Sequence, residues 1–326
     1  MIYCHKISDA YGVEPQLLRT FTTVARLGSF SAAAAELGYT QAAVSQQIAA
    51  LENDLRTQLL TRRPVTPTEA GARLLEHAGP ILLRLDAARA DITRMTKTPP
   101  NATLVIGVTP LAGATCGLAE GLATLRTRMP RLKITVEAGT RHQIAIAVAK
   151  GELDLALTDG LAAPGDSLPE QSPVTAIGLT EHPVRVVLPV DHPLAQRSTL
   201  RLPDLAAARW IEAENVAPPL EEIRKHAGVD GFKPAMRYRG EDITTLLHLA
   251  SAGHGLTLLP EQSLSAAGIT AADHGFTPPP EQLQGVAKIR AVSITQPRVS
   301  HRVELLHPAL PADSPATALA AILTQH

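Results

Sequence analysis

The sequence predicts a multidomain α/β chain, and three observations carry that expectation. Residues 29–52 read as two short helices joined by a tight turn. Residues 68–96 read as one long amphipathic helix. From residue 103 onward, apolar β-rich runs alternate with helical ones. Together they give an N-terminal winged helix-turn-helix, one long helix and a C-terminal α/β region.

In the first segment, SFSAAAAELGYTQAAVSQQIAALE, Ser31 is the expected N-cap of a helix through Ala32–Ala35 to Leu37. Alanine is the best helix former, and four in a row let a second helix approach closely. Gly38 ends the helix as a left-handed C′ residue. Thr40 caps the next helix, with Tyr39 placed to staple onto Val44. Val44, Ile48 and Leu51 recur at steps of four and three, so their face is core. The opposite face carries Gln41, Ala42, Ser45 and Gln46, with Gln47 at its edge. Gln can bond bidentately to adenine, so such a face suits base edges in the major groove. Taken alone, the segment reads equally well as a helical hairpin with a solvated face, and its surroundings have to decide.

Upstream, Leu17, Leu18, Phe21, Val24 and Ala25 make an amphipathic first helix. Downstream, Leu59 and Leu60 lead to Arg62 and Arg63 and then Pro64-Val65-Thr66-Pro67. A short β-ribbon with two arginines at its tip is a wing suited to phosphates. Thr68 caps the long helix. Within that helix Leu74, Ala78, Ile81, Leu85, Ala88, Ile92 and Met95 alternate by four and three, the spacing of a coiled-coil seam. Leu75 and Leu82 widen the stripe toward a second packing surface. Gly79-Pro80 predicts a kink, and Pro99-Pro100 ends the pattern.

Residues 14–97 resemble the N-terminal part of the LysR-type transcriptional regulators. The resemblance rests on LLRTFTTVARLGSFSAAAAELGYTQAAVSQQIAALENDL, the wing arginine and VTPTEAG. It implies DNA contacts from Gln41, Ala42, Ser45, Gln46 and Arg62, to which the expected contact set adds Ser31, Gln47 and Arg63, and pairing of two chains through the linker helix. Three positions depart from the family pattern. Ala42 stands for a usual proline, Arg56 for a usual glycine and Leu60 for a usual phenylalanine, and the wing is shorter than usual.

The 326 residues suffice for two or three domains, and 45% apolar against 19% charged residues gives a substantial core. Aromatics at 3% exclude stacking platforms for single-stranded nucleic acid. Net charge is −1, yet residues 14–97 hold 10 Lys+Arg against 8 Asp+Glu. So weak a basic balance calls for oligomerisation to multiply phosphate contacts. Cys4 and Cys116 make neither a disulfide framework nor a zinc site. His248-x5-His254 and His301-x5-His307 lack metal-ligand spacing. No metal, cofactor or membrane span is expected, and residues 1–13 lack a signal peptide's apolar centre, so the cytoplasm is the expected location.

In the C-terminal part, TLVIGV (103–108), KITVEA (133–138) and DLALT (154–158) are strands separated by helices at 118–129 and 143–153, a parallel arrangement. RVVLP (185–189), RWIEAE (209–214), AMRYRG (235–240) and GLTLLP (255–260) form a second set, with helices at 219–228 and 242–253. Strands at 286–295 and 301–307 are expected to return to the first lobe before a C-terminal helix near 315–325. IGVTP, GELDLAL, LPVDHPLA and ASAGHGLTLLPE again resemble LysR-type regulators. They imply the periplasmic-binding-protein type 2 architecture, with two crossover strands as a hinge. The expected domains are an extension at 1–13, the winged helix-turn-helix at 14–72, the linker helix at 73–98 and the effector domain at 103–326. Lobe 1 is expected at about 103–178 and 286–326, and lobe 2 at about 179–285.

Ligands in such folds sit where strand C-terminal ends and helix N-termini converge. By analogy the effector contacts are Thr109, Leu111, Thr158, Asp159, Glu212 and Glu241. The implied function is a DNA-binding regulator controlled by a small effector. Its expected partners are promoter DNA, the effector, a second copy in a dimer or tetramer, and RNA polymerase. The rival reading is a solute-binding protein of the same C-terminal fold. An enzyme is disfavoured, because no nucleophile–base pair, metal set or nucleotide-binding glycine motif is evident.

Overall fold

The structure is a computed structural model that describes residues 13–96, 103–168, 174–266 and 289–325. Most of the expected N-terminal extension therefore lies outside the described residues. The chain forms two compact units divided after Arg89.

The first unit holds α1 (Pro15–Leu27), α2 (Phe30–Leu37) and α3 (Gln41–Asp54), and α4 (Glu69–Thr96) begins in it. The cap of α2 is Ser29, not the expected Ser31. Ser29 has extended backbone, and its Oγ accepts the Ala32 N–H at 3.2 Å. Ser31 is already one turn-position inside the helix, where a cap cannot form. Gly38 closes α2 at φ 71°, and Thr40 caps α3 through the Ala43 N–H at 3.2 Å. Phe21, Val24, Val44, Ile48, Leu51 and Leu60 are buried together beneath these helices. The expected ribbon is reduced to one antiparallel bridge, Leu60↔Pro67, braced by Thr61 N–H to Thr66 O at 2.8 Å.

The linker helix does not present its stripe as one seam. Leu74 and Leu75 pack against the first unit's core, and Ala78 is fully buried. Ile81 and Ile92 instead remain 45% and 62% exposed. Leu85 is half-buried and Ala88 exposed, while the surroundings of Met95 lie outside the described residues. A stripe of period 3.5 drifts around a 3.6-residue helix, so its two ends need not face the same neighbour.

In the second unit, β1 (Thr103–Val108) pairs in parallel with β2 (Lys133–Ala138) and with β3 (Leu155–Ala162). The helices between them are α5 (Pro110–Thr115), α6 (Leu118–Arg128) and α7 (Arg141–Lys150). Lobe 2 contains β5 (Thr199–Arg201), β6 (Trp210–Glu212), α8 (Leu220–Ala227), β7 (Pro234–Arg237), α9 (Ile243–Ser251), β8 (Thr257–Pro260) and α10 (Glu261–Ala266). A single strand, β4 (Thr175–Pro189), serves both lobes. Its first half pairs with β10 (Ser300–His307), and its second half with β8 and β9 (Ile289–Gln296). The crossover thus falls near Pro183–Val184, several residues beyond the expected boundary at 178/179.

One expected strand assignment is corrected. β9 pairs with β4 and β5 inside lobe 2, and only β10 returns to lobe 1, beside β3. The second crossover is therefore the 297–299 connection. α11 (Pro315–Leu323) then covers lobe 1, where Leu319 joins Ile106, Leu125, Leu157 and Leu305 in one core. Alternation along β4 builds both layers of lobe 2. Val186 and Leu188 face Trp210 and Phe232, and Val187 faces Ile211, Leu246 and Leu259. No described helix is long and apolar enough to cross a membrane.

Candidate functional sites

The outer face of α3 carries the residues predicted from the sequence. Gln41, Ala42 and Gln46 are exposed and Ser45 is half-buried, above the fully buried Val44, Ile48 and Leu51. Gln47 has a different task. Its side-chain oxygen accepts the Thr20 hydroxyl at 2.6 Å, tying α3 to α1. Ser31 is exposed, with its Oγ 3.0 Å from that of Ser29.

Arg62 and Arg63 are both exposed at the wing. The Arg62 guanidinium lies 5.2 Å from the centre of the Phe30 ring and 3.9 Å from the Glu52 carboxylate. That cation–π contact and ion pair orient it while leaving it open to solvent. Sequence reasoning missed Glu52. Its Oε1 accepts the N–H groups of Leu59 and Leu60 at 2.8 and 3.2 Å and so fixes the wing's root. The only signal was a carboxylate one residue after the core position Leu51.

Arg56 explains one departure from the family pattern. It sits at φ 51°, in the left-handed region where glycine is favoured. The turn after α3 demands that conformation whatever residue occupies it.

In the second unit, a cavity of about 330 Å³ lies between the lobes. Lobe 1 contributes Thr109, Pro110, Leu111, the Gly139–His142 turn, Asp159 and Gly160. Lobe 2 contributes Glu214, Asn215, Ala217, Pro218, Pro219 and Glu222. Thr109, Leu111 and Asp159 were among the predicted residues. The other three lie elsewhere. Thr158 is fully buried and off the cavity wall, which β3 reaches through Asp159 and Gly160. Glu212 pairs with Arg237 at 2.9 Å, and Glu241 is exposed away from the cavity. The strand β6 ends before the wall begins, and the chain that follows it supplies Glu214 to Pro219.

The floor of the cavity is a buried polar network. Asp159 Oδ1 accepts the Thr109 hydroxyl, and Oδ2 lies 2.8 Å from Nε2 of the fully buried His301. Burial alone would raise the Asp159 carboxyl, but His301, the Thr109 hydroxyl and the Ala112 N–H together hold it below its ordinary value. Arg141 is held by the N-terminus of α7, where Thr140 and Gln143 form a reciprocal capping box. Its guanidinium is 3.9 Å from the buried Glu304 carboxylate. Glu222 accepts the Leu161 N–H at 2.9 Å. Its carboxyl is pushed up, first by burial and further by Asp159, against the pull of the Leu161 N–H, Arg141 and His226. Gly160 makes room for both groups: a Cβ there would lie 2.8 Å from Arg141 and 3.0 Å from Glu222. Sequence reasoning missed Arg141, Glu222 and His301, since they lie far apart in the chain on three separate elements.

Both parts of the chain match known family models. Residues 15–72 match the bacterial regulatory helix-turn-helix protein model of the lysR family, and residues 97–319 match the LysR substrate binding domain. A probable hydrogen peroxide-inducible genes activator of Mycobacterium avium is 31% identical over 252 residues, covering 76% of this chain and 78% of that protein. The transcriptional regulator BudR of Raoultella terrigena is 31% identical over 258 residues, covering 76% and 85%. The crystal structure of full-length BenM shares the fold, with a TM-score of 0.51 at 20% identity over 96% of each chain. With family models matching both the helix-turn-helix and the two-lobed domain, the chain belongs to the LysR family of transcriptional regulators.

Proposed function

We propose that Gln41, Ala42, Ser45 and Gln46 read bases in the major groove, while Arg62, Arg63 and the Ser31 hydroxyl hold phosphates. The observation that carries this reading is the division of α3 into a buried apolar face and an exposed, uncharged polar one. Such a face has hydrogen bonds to offer bases but little attraction for phosphate, so affinity falls to the wing and to pairing of two copies. The pairing surface is the part of the α4 stripe beyond the first unit's core: Ile81, Leu85, Ala88 and Ile92. Leu74 and Leu75 serve the first unit's own core. RNA polymerase is the partner that reads the resulting promoter complex, and the protein works in the cytoplasm, where promoter DNA lies.

The effector occupies the cleft around Arg141, Asp159 and Glu222. Binding favours one arrangement of the two lobes about the β4 and 297–299 crossovers, and that preference changes how paired DNA-binding units engage DNA. The cleft binds without catalysing. Asp159 stands between the Thr109 hydroxyl and His301, so the imidazole does not reach the hydroxyl, and a carboxylate held below its ordinary pKa is a poor base.

Peroxide, named for the Mycobacterium avium relative, is disfavoured as the signal. Burial, as the main cause, pushes the Cys116 thiol up to about 11, so it is protonated near neutrality, and peroxide chemistry needs a thiolate.

The test is a DNase I footprint on the DNA upstream of the protein's own gene, with a metabolite library added. Two protected half-sites on one face of the DNA are expected, with a change in protection by one metabolite class. Arg141→Ala should keep the footprint and lose the change. A metabolite response that survives both Arg141→Ala and Glu222→Gln would refute the cleft assignment.

A further inference from the structure

We propose that His182 is a proton switch in the hinge. Neutral, it lets β4 lie against β10; protonated, it loosens that crossing, so the lobes respond to acidification as well as to an effector.

The switch sits where one strand leaves one lobe for the other. β4 pairs with β10 as far as Ser300↔Pro183, and from Val184 onward it pairs with β8 and β9. Pro183 has no N–H to give to the last rung of that ladder. The rung before it is His301↔His182. Directly opposed residues on antiparallel strands share a face, with Cβ atoms about 5 Å apart, and like charges there destabilise the pair. Two imidazoles at the end of a ladder thus support the crossing only while they do not both carry charge.

The surroundings decide which ring resists charge. His301 is fully buried, and its Nε2 lies 2.8 Å from Asp159 Oδ2. A positive charge on His301 therefore has a carboxylate to meet it, and Asp159 is further held by the Thr109 hydroxyl and the Ala112 N–H. His182 is half-buried in a different setting. Burial first, and then His301, hold its imidazole below its ordinary 6.5, against the pull of the Thr115 carbonyl at the end of α5. Its Nε2 is buried with no hydrogen-bond partner among the described residues. In the cation both ring nitrogens carry an N–H, so protonation would leave one donor there unmet. The charged groups beside it on β4 are committed elsewhere. Glu181 accepts the Ser300 hydroxyl at 2.5 Å and lies 3.8 Å from Arg302, and Arg185 donates to Glu261 of α10 at 3.0 Å. Cys116, which follows Thr115, is protonated near neutrality and brings no charge.

An arrangement that frees His182 to water binds a proton near 6.5, whereas the closed crossing binds one only at lower pH. Acidification through 6.5 therefore favours the freed arrangement, until the pH reaches the closed value. One proton changes that equilibrium by at most about tenfold per pH unit. Asp159 lines the cavity while bonded to His301, so the cleft and the switch share one chain of groups across β3, β10 and β4. The consequence for DNA rests on the reading of lobe arrangement as the signal, whereas the switch itself is measured at the hinge.

Hydrogen exchange of the full-length protein, read by mass spectrometry from about pH 8 to about pH 5.5 and corrected for the chemical exchange rate, reports opening of β4 and β10. Wild type should open more as pH falls, by about threefold to tenfold per pH unit, while α3 in the first unit stays unchanged. His182→Gln keeps an amide donor for the Thr115 carbonyl and cannot be charged. Its β4 and β10 should remain as protected in acid as they are in wild type at about pH 8. Proton NMR of the His182 ring, assigned by its loss in His182→Gln, should give a midpoint below 6.5. The inference is overturned by hinge opening that is flat with pH, by an acid response that survives His182→Gln, or by a His182 ring that titrates at or above 6.5.

Discussion

Gly71 offers a prediction in which two physical arguments give opposite signs. It lies near the start of α4, so helix propensity alone says that Gly71→Ala stabilises by about 1 kcal/mol. The surroundings say otherwise. A Cβ on Gly71 would lie 2.1 Å from the Leu59 carbonyl oxygen and 3.1 Å from its carbon. That oxygen is backbone and cannot swing aside, because it accepts the Thr68 N–H at 2.9 Å and Leu59 is itself 1% exposed. Relief requires α4 to shift from the root of the wing. The shift breaks the Thr68 N–H to Leu59 O bond and the Thr68 hydroxyl to Gln58 O bond at 2.7 Å. Two such bonds contribute about 2 kcal/mol. Overpacking adds about 1–3 kcal/mol. After the propensity gain, a loss of about 2–4 kcal/mol remains.

The assay exploits an asymmetry of the sequence. The chain has one tryptophan, Trp210, and it lies in the second unit. Urea unfolding followed by far-ultraviolet circular dichroism reports the helical first unit together with the second, whereas Trp210 fluorescence reports the second alone. Gly71→Ala should bring forward an early dichroism phase, leave the fluorescence transition in place and weaken DNA binding. A dichroism transition that is unmoved, or moves to higher urea, would refute the steric argument and leave propensity in charge.

Two further predictions concern the two sites. Arg62→Ala should weaken binding to all DNA sequences alike and flatten the log K against log salt slope by about 0.9, whereas Gln41→Ala should cost about 1–3 kcal/mol on the operator only. Anisotropy titrations on operator and scrambled duplexes at two salt concentrations decide it, and an unchanged slope in Arg62→Ala would remove that arginine from the interface. The second concerns pH. Asp159 is held below its ordinary 3.8 in the folded protein, so its support is present above that pH and is lost as pH falls further. Glu222, which faces Arg141, His226, Asp159 and the Leu161 N–H, is raised above 4.5, so its contribution is full below 4.5 and declines as pH rises through its folded value. Urea midpoints by Trp210 fluorescence across pH should therefore lose their acid-side fall in Asp159→Asn and their fall above 4.5 in Glu222→Gln. Profiles identical to wild type would contradict both assignments.

Local rules made much of the first unit readable. Val44, Ile48 and Leu51 announced a buried face by spacing alone, and Gly38 and Thr40 announced a helix end and a helix start. Ser29 was missed as a cap because two serines flank Phe30 and only the backbone angles distinguish them. The first half of β4 was missed because TAIGLTEHP alternates weakly and reads as loop; its partner β10 lies more than a hundred residues away. β9 was assigned to the wrong lobe for the same reason, since strand pairing is set by what the sheet brings alongside.

By itself, the sequence determined the family, the order of its helix-turn-helix and α/β parts, the uncharged polar face of α3 and the core faces of α1 and α3. These follow from periodicity, capping and motif, which act over a few residues. Only the tertiary structure decided which cleft residues meet. It turned Thr158 inward and Asp159 outward, paired Glu212 with Arg237, and brought Arg141, Glu222 and His301 to one cavity from distant segments. It also divided the linker stripe between an internal core and an exposed surface. The physical reason is common to all of these: strand alternation, burial and charge pairing depend on neighbours in space, and distance along the chain does not report them.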